Sequence, residues 1–136
     1  GEKNGFTIID DYAHHPTEIS ATLEAAANYP HKNLWVAFQP HTYTRTRAFL
    51  KDFARSLSQA DKVILTDIYA AREQDPGDIS SRMLEDELKK LGKEVYYFSD
   101  FKDIEKFILK NLVNGDLLIT MGAGNIVDIG ENILNN

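Results

Sequence analysis

Cysteine is absent from this 136-residue chain, which excludes disulfides and thiolate zinc sites. No apolar run approaches the roughly 20 residues that a bilayer-spanning helix needs. The start "GEKNGFTIID" lacks the charged-then-apolar order of a signal peptide, and no Asn-x-Ser/Thr sequon occurs. These absences point to a soluble cytoplasmic protein without membrane contact. Basic residues are outnumbered, 15 against 21 acidic, for a net charge of −6. Nucleic-acid binding usually needs a concentrated basic surface, so it is not expected. Internal repeats, low-complexity tracts and interdomain linkers are missing too, and the length suits one domain. The chain opens on polar, turn-like residues and enters a strand almost at once, as a domain cut from a longer protein would.

What is present is an alternation. Strand-like runs at Phe6–Ile9, Leu34–Phe38, Val63–Leu65, Val95–Phe98 and Leu117–Thr120 are short, β-branched or aromatic, and apolar on both faces. Strands covered by helices on both sides have this character. Between them run helical stripes: Ile19, Leu23, Ala26 and Ala27; Phe49, Leu50, Phe53 and Leu57; Leu84, Leu88 and Leu91; Ile104, Phe107, Ile108 and Leu112. A last helix is expected over about 125–134. Five strands alternating with five helices predict an α/β fold with a doubly wound, mostly parallel sheet and helices on both faces.

Ligands of such sheets sit beyond the carboxyl ends of the strands. The segments expected there are "DDYAHHP", "QPHTYTRTR", "TDIYAARE" and "MGAGN". Acids, histidines, arginines and glycines thus gather at one edge. The longest loop, "DIYAAREQDPGDI" from Asp67 to Ile79, has a length often associated with function.

In the first segment Pro16 suits the first turn of a helix. That puts His15 at the N-cap and Glu18 at the third helical position, an arrangement like a capping box. Asp10 and Asp11 lie on opposite sides if the strand continues, one facing the crevice and the other held by backbone donors. Asp11, Tyr12 and His14 are the functional candidates. A metal site built from the two acids with His14, His15 and His41 is the rival. Neighbouring side chains diverge and no H-x-x-x-H spacing occurs, so no metal ligands are assigned.

The second segment carries His41, Tyr43, Thr44, Arg45, Thr46 and Arg47 where a loop becomes a helix. Free amides at a helix start attract anions, and arginine adds bidentate recognition of carboxylate or phosphate. Arg45 is the functional candidate, and Arg47 a solvated surface residue. "MGAGN" is half of a dinucleotide fingerprint without its third glycine. It is expected to form a tight turn at Gly122 and Gly124, with Asn125 as a helix cap and the helix-start amides facing the crevice. Asp10, Asp11 and Asp67 would suit a receiver domain, yet no lysine follows the fifth strand. There is neither a nucleophile–base pair nor a triphosphate cradle, so the chain has the look of part of a site.

"DDYAHHPTEI", "FQPHTYTRTRAFLKDFARSL", "DIYAARE" with "PGDISS", and "MGAGNI" resemble, in that order, the C-terminal domain of the Mur ligase family in its muramate–alanine branch. The resemblance covers essentially the whole chain. It implies a Rossmann-like domain spanning residues 1–136 of a three-domain enzyme, inactive alone, with N-terminal and central domains as its partners. The implied reaction joins L-alanine to UDP-N-acetylmuramate through an acyl phosphate in peptidoglycan precursor synthesis. ATP and Mg2+ would be held mainly by the central domain.

By resemblance, Asp11 contacts the nucleotide and Tyr12, His14, His41 and Arg45 line the substrate side. His15, Pro16, Gly122, Gly124 and Asn125 support the site. Thr42 stands where relatives often carry arginine, and Asn125 where aspartate is frequent. A murein peptide ligase domain is the near alternative, which the second loop disfavours. A free-standing module for a nucleotide or small carboxylate is the alternative of a different class.

Overall fold

A computed structural model describes residues 1–135. The order is β1 (Glu2–Lys3), β2 (Phe6–Asp11), α1 (Pro16–Ala27), β3 (Leu34–Phe38), α2 (Tyr43–Ala48), α3 (Leu50–Leu57), β4 (Lys62–Leu65), α4 (Ser81–Lys90), β5 (Glu94–Tyr97), α5 (Phe101–Asn111), β6 (Leu117–Met121) and α6 (Val127–Leu134). The six strands form one sheet in the order β1-β2-β6-β3-β4-β5. Every neighbouring pair is parallel except β1 with β2. The doubly wound α/β expectation therefore holds.

Two elements differ from expectation. The polar start forms an edge strand, with Glu2 opposite Thr7 and Lys3 opposite Phe6. The two residues between, Asn4 and Gly5, both have positive φ, 53° and 85°. That is the backbone a two-residue hairpin needs to match strand twist, and Asn-Gly is the pair that adopts it most readily. The second helix is also divided. A short α2 hands over to α3 at Phe49, whose φ of −120° and ψ of 24° break the helix.

The two faces carry separate cores. Ile19 and Leu23 of α1, Phe53 and Leu57 of α3, and Leu84 and Leu88 of α4 pack over one face, against Val36, Phe38, Val63 and Ile119. Ile104 and Ile108 of α5 and Ile129 and Ile133 of α6 cover the other, against Phe6, Ile8, Trp35 and Leu118. Alternate residues of one strand serve alternate faces, which explains why the central strands are apolar throughout. Buried Asp116 anchors the amino edge. It accepts the Trp35 indole N–H at 3.2 Å and the Asn33 and Val113 amides at 3.1 Å each.

β6 returns between β2 and β3, so the carboxyl ends of β2, β6, β3 and β4 stand side by side. Chain connections diverge at this point, and parallel α/β sheets open a crevice there.

Candidate functional site at the carboxyl edge

The four polar segments meet. The Gly122 amide donates to the Asp11 carbonyl at 3.1 Å, and the Gln39 amide to that of Met121 at 3.0 Å. The Tyr69 amide reaches the Pro40 carbonyl, and the Thr42 amide that of Tyr69, at 2.8 Å each. Backbone pairing thus extends past the strands and ties the loops to one another.

β2 continues through Asp11, so the paired acids do diverge. Asp10 accepts the Thr120 hydroxyl at 2.8 Å. Asp11 accepts the Ala13 amide at 2.8 Å through one oxygen and the Thr22 hydroxyl at 3.2 Å through the other. The backbone-held acid is therefore Asp11. Each carboxylate oxygen still has a lone pair free for another donor.

His15 is the N-cap of α1 with Pro16 following, as expected, but its side chain makes no cap bond. Glu18 accepts the His14 amide at 3.3 Å instead of that of His15. The capping box is therefore displaced by one residue and lacks its reciprocal half. The His15 ring turns away to pack on Phe49, centroids 5.0 Å apart.

Tyr12, His14, His41 and Arg45 come together. The Tyr12 and His14 rings meet edge-on at 5.4 Å, and His14 and His41 at 5.7 Å. Arg45 Nη1 lies 3.0 Å from His41 Nδ1 and 3.4 Å from the His41 carbonyl. Guanidinium can only donate, so this contact requires an unprotonated Nδ1. Burial lowers the His41 pKa below its ordinary 6.5, and the charges of Arg45 and His14 lower it further, against a small opposing pull from Glu73. Burial first, and then the cation it orients, thus favour the neutral imidazole. Tyr12 is largely exposed, forming the outer rim.

Thr42 caps α2, its hydroxyl accepting the Arg45 amide at 3.3 Å. Its φ of 67° and ψ of 148° are costly for a β-branched residue and need support from the surroundings. That support includes Glu73, a residue the sequence reading passed over. One Glu73 oxygen accepts the Tyr43 amide at 2.7 Å and the Thr44 amide at 3.0 Å. Its pKa is lowered, first by hydrogen bonding from Thr44. The α2 amides expected to be free for an anion are therefore partly occupied. Arg47 pairs with Asp78 at 2.6 Å on the surface, in keeping with its solvated reading.

Asn125 does not cap the last helix. Ile126 occupies that position, and Asn125 accepts from the Gln39 amide group at 2.8 Å. Gln39 in turn accepts the Ile126 amide at 3.2 Å, so a buried side chain just past the end of β3 does the capping and occupies an amide expected to face the crevice. This explains both glycines. A Cβ on Gly122 would lie 2.8 Å from the Gln39 carbonyl, and one on Gly124 would lie 2.6 Å from Gln39 Oε1 and 2.7 Å from the Tyr69 ring. Gln39 and Tyr69 were the missed residues here. The available signal was two glycines close together, which mark a close approach without saying by what.

Beside this cluster lies an open crevice of about 530 Å³, lined by Gln39, Asp67, Tyr69, Asp100, Phe101 and Asn125 among others. The segment after β5 thus also reaches the edge, which was not expected. Among the described residues, no group of three or more histidines and acids is placed to hold a metal ion. No described helix is long and apolar enough to cross a membrane.

Comparison with known proteins places this geometry. Residues 1–124 match the family model described as Mur ligase, glutamate ligase domain. The chain is 65% identical over 134 residues to a UDP-N-acetylmuramate–L-alanine ligase of Lachnoclostridium phytofermentans, covering 98% of this chain and 29% of that protein. It is 57% identical to the corresponding ligase of Caldanaerobacter subterraneus, with the same coverage. The chain thus spans under a third of the length of these relatives. A crystal structure of UDP-N-acetylmuramate-alanine ligase from Thermotoga maritima gives a TM-score of 0.76 at 32% identity, over 97% of this chain and 26% of that one. A murein peptide ligase from Psychrobacter arcticus superposes with a TM-score of 0.81 at 23% identity, over 99% and 28%, which speaks for the fold alone. Fold, edge loops and sequence agree, and the chain belongs to the Mur ligase family.

Proposed function

We propose that this chain is the C-terminal domain of a three-domain, ATP-dependent ligase that joins L-alanine to UDP-N-acetylmuramate for peptidoglycan synthesis. One observation carries the reading: Tyr12, His14, His41 and Arg45, from two different loops, form a single cation-and-ring cluster at the carboxyl edge. The relatives' names and the length they have beyond this chain support the substrate and the additional domains.

In this reading the muramate carboxylate is activated as an acyl phosphate, and the amine of L-alanine displaces phosphate. Arg45 holds a carboxylate or phosphate oxygen of the reactants, a fixed cation where negative charge collects. Its partner His41 stays neutral and so does not repel it. Tyr12 and His14 form the wall along which the amino acid is oriented. Asp11 accepts a ribose hydroxyl on the lone pairs that Ala13 and Thr22 leave open.

Mg2+ neutralises phosphate charge when bound, and its ligands belong to the other domains. The chain has no G-x-x-x-x-G-K-[S/T] cradle, and the remaining lone pairs of Asp11 offer the nucleotide one ribose contact and nothing for its phosphates. The isolated chain is therefore inactive and binds ATP weakly.

The test is phosphate release by the complete polypeptide with ATP, Mg2+, UDP-N-acetylmuramate and L-alanine. Release that depends on all of them is expected. No release, or tight ATP binding by this domain alone in calorimetry, would reject the assignment.

A further inference from the structure

The geometry points to Tyr69 as the residue that limits the size of the amino acid accepted beside Arg45, by walling the Arg45–His41 cluster off from the crevice behind it. This rests on the proposed function and adds a determinant of its selectivity.

Three observations place the wall. The Tyr69 ring stacks on the His41 imidazole, centroids 5.7 Å apart and planes within 17°. Its other neighbour is the α-carbon of Gly124, so close that a Cβ there would lie 2.7 Å from two ring atoms. Its backbone is held on both sides, donating to Pro40 and accepting from Thr42 at 2.8 Å each, in a bridge to His41. Ring and backbone are thus fixed to the loop that carries Arg45.

Tyr69 also lines the crevice of about 530 Å³, a volume within the range that holds drug-sized ligands. A methyl side chain has no use for such a space. An amino acid held by its carboxylate on Arg45 lies along His41, and a longer side chain running the same way meets Tyr69 before it reaches the crevice. Gly124 is the complementary half of the device, since any side chain there would displace the ring.

The experiment uses the complete polypeptide and measures ligation of glycine, L-alanine, L-valine and L-leucine by the wild type, Tyr69→Ala and Tyr69→Phe. Tyr69→Ala is expected to raise kcat/KM for leucine relative to alanine by about tenfold or more, on the scale that pocket size commands. Tyr69→Phe keeps the wild-type ratio. A general structural defect would depress all four amino acids together, so an unchanged ratio in Tyr69→Ala overturns the proposal. An equal shift in Tyr69→Phe does so as well. Should Tyr69→Ala fail to fold in a thermal melt, Tyr69→Leu, which retains apolar bulk against Gly124, is read by the same ratio. If the wild type prefers another small amino acid, the L-alanine assignment fails while the wall is still judged by the ratio. Ligation of none of the four by the wild type removes both.

Discussion

The first and second edge loops build the same cluster but are held in opposite ways. The loop after β2 braces itself. Asp11 binds Ala13 two residues on and Thr22 eleven on, His14 Nδ1 sits 3.0 Å from the Tyr12 carbonyl, and Glu18 takes the His14 amide four residues back. The loop after β3 relies on distant chain. Glu73 holds the Tyr43 amide from 30 positions away, and Tyr69 takes the Thr42 amide. Gln39, at the base of this loop, bridges to Asn125 across 86 positions. Short-range braces cost little chain entropy and form with the local turn, whereas distant ones exist only once the sheet has assembled. Arg45 therefore depends on the Asp67–Ile79 loop although it is remote from it in sequence.

This contrast can be tested from both sides. The largest effect belongs to Arg45→Ala. Loss of a fixed charge-stabilising donor should lower the turnover of the complete enzyme by about a hundredfold. Its melting temperature should stay near wild type, because among the described residues the Arg45 side chain hydrogen-bonds only to the local His41. Steady-state rates and thermal melts on the same preparation decide this, and an unchanged rate removes Arg45 from the site.

Next comes Asp11→Ala, which breaks the self-braced loop. Two hydrogen bonds to a carboxylate are lost, one from a backbone amide, and unfolding by urea should show destabilisation of about 2 kcal/mol. No loss would mean that the loop does not depend on its internal bonds.

Glu73 probes the other loop. Its folded pKa lies below the ordinary 4.5, so its stabilisation is complete above that value. It is lost as pH falls through the lower, folded-state value. Glu73→Gln should therefore melt below the wild type above pH 4.5 and match it in stronger acid. It should also lower turnover, by less than Arg45→Ala does, through misplacing Arg45. An effect on stability with none on rate would separate the distant brace from the site.

A smaller effect is spectroscopic. The His41 imidazole should titrate below 6.5, since its depression comes first from burial and then from Arg45 and His14. In Arg45→Ala it should move part of the way back, followed by proton NMR. Because the unfolded imidazole takes a proton first, stability decreases as pH drops below 6.5 toward the folded value. Arg47→Ala should do least, leaving rate and melting temperature close to wild type, as exposed ion pairs contribute little.

Much of this molecule was legible in the chain. The five parallel strands were recognised because short apolar runs between helical stripes admit few other arrangements, and the edge loops followed from strand direction alone. The edge strand was missed although Asn4-Gly5 announced it, because Glu2 and Lys3 have no apolar signal to mark them as a strand. The cap role at His15 was inferred from Pro16 after it, and that at Asn125 from residue type. Pro16 and the strand-like backbone do put His15 at the helix start. But its ring finds more apolar contact on Phe49, and Gln39 reaches the Ile126 amide in place of Asn125.

By itself, the sequence pattern determined the doubly wound topology and the edge on which the polar loops collect, because these depend on periodicity and strand direction, while the set Tyr12, His14, His41 and Arg45 came from the family resemblance. The tertiary structure alone decided what surrounds Arg45. Glu73 on the α2 amides, Gln39 under the glycine turn and Tyr69 between the cluster and the crevice are all products of folding, in which residues 27 to 87 positions apart come within hydrogen-bonding distance. No local pattern encodes such pairings, since each depends on the whole sheet bringing its strand ends together.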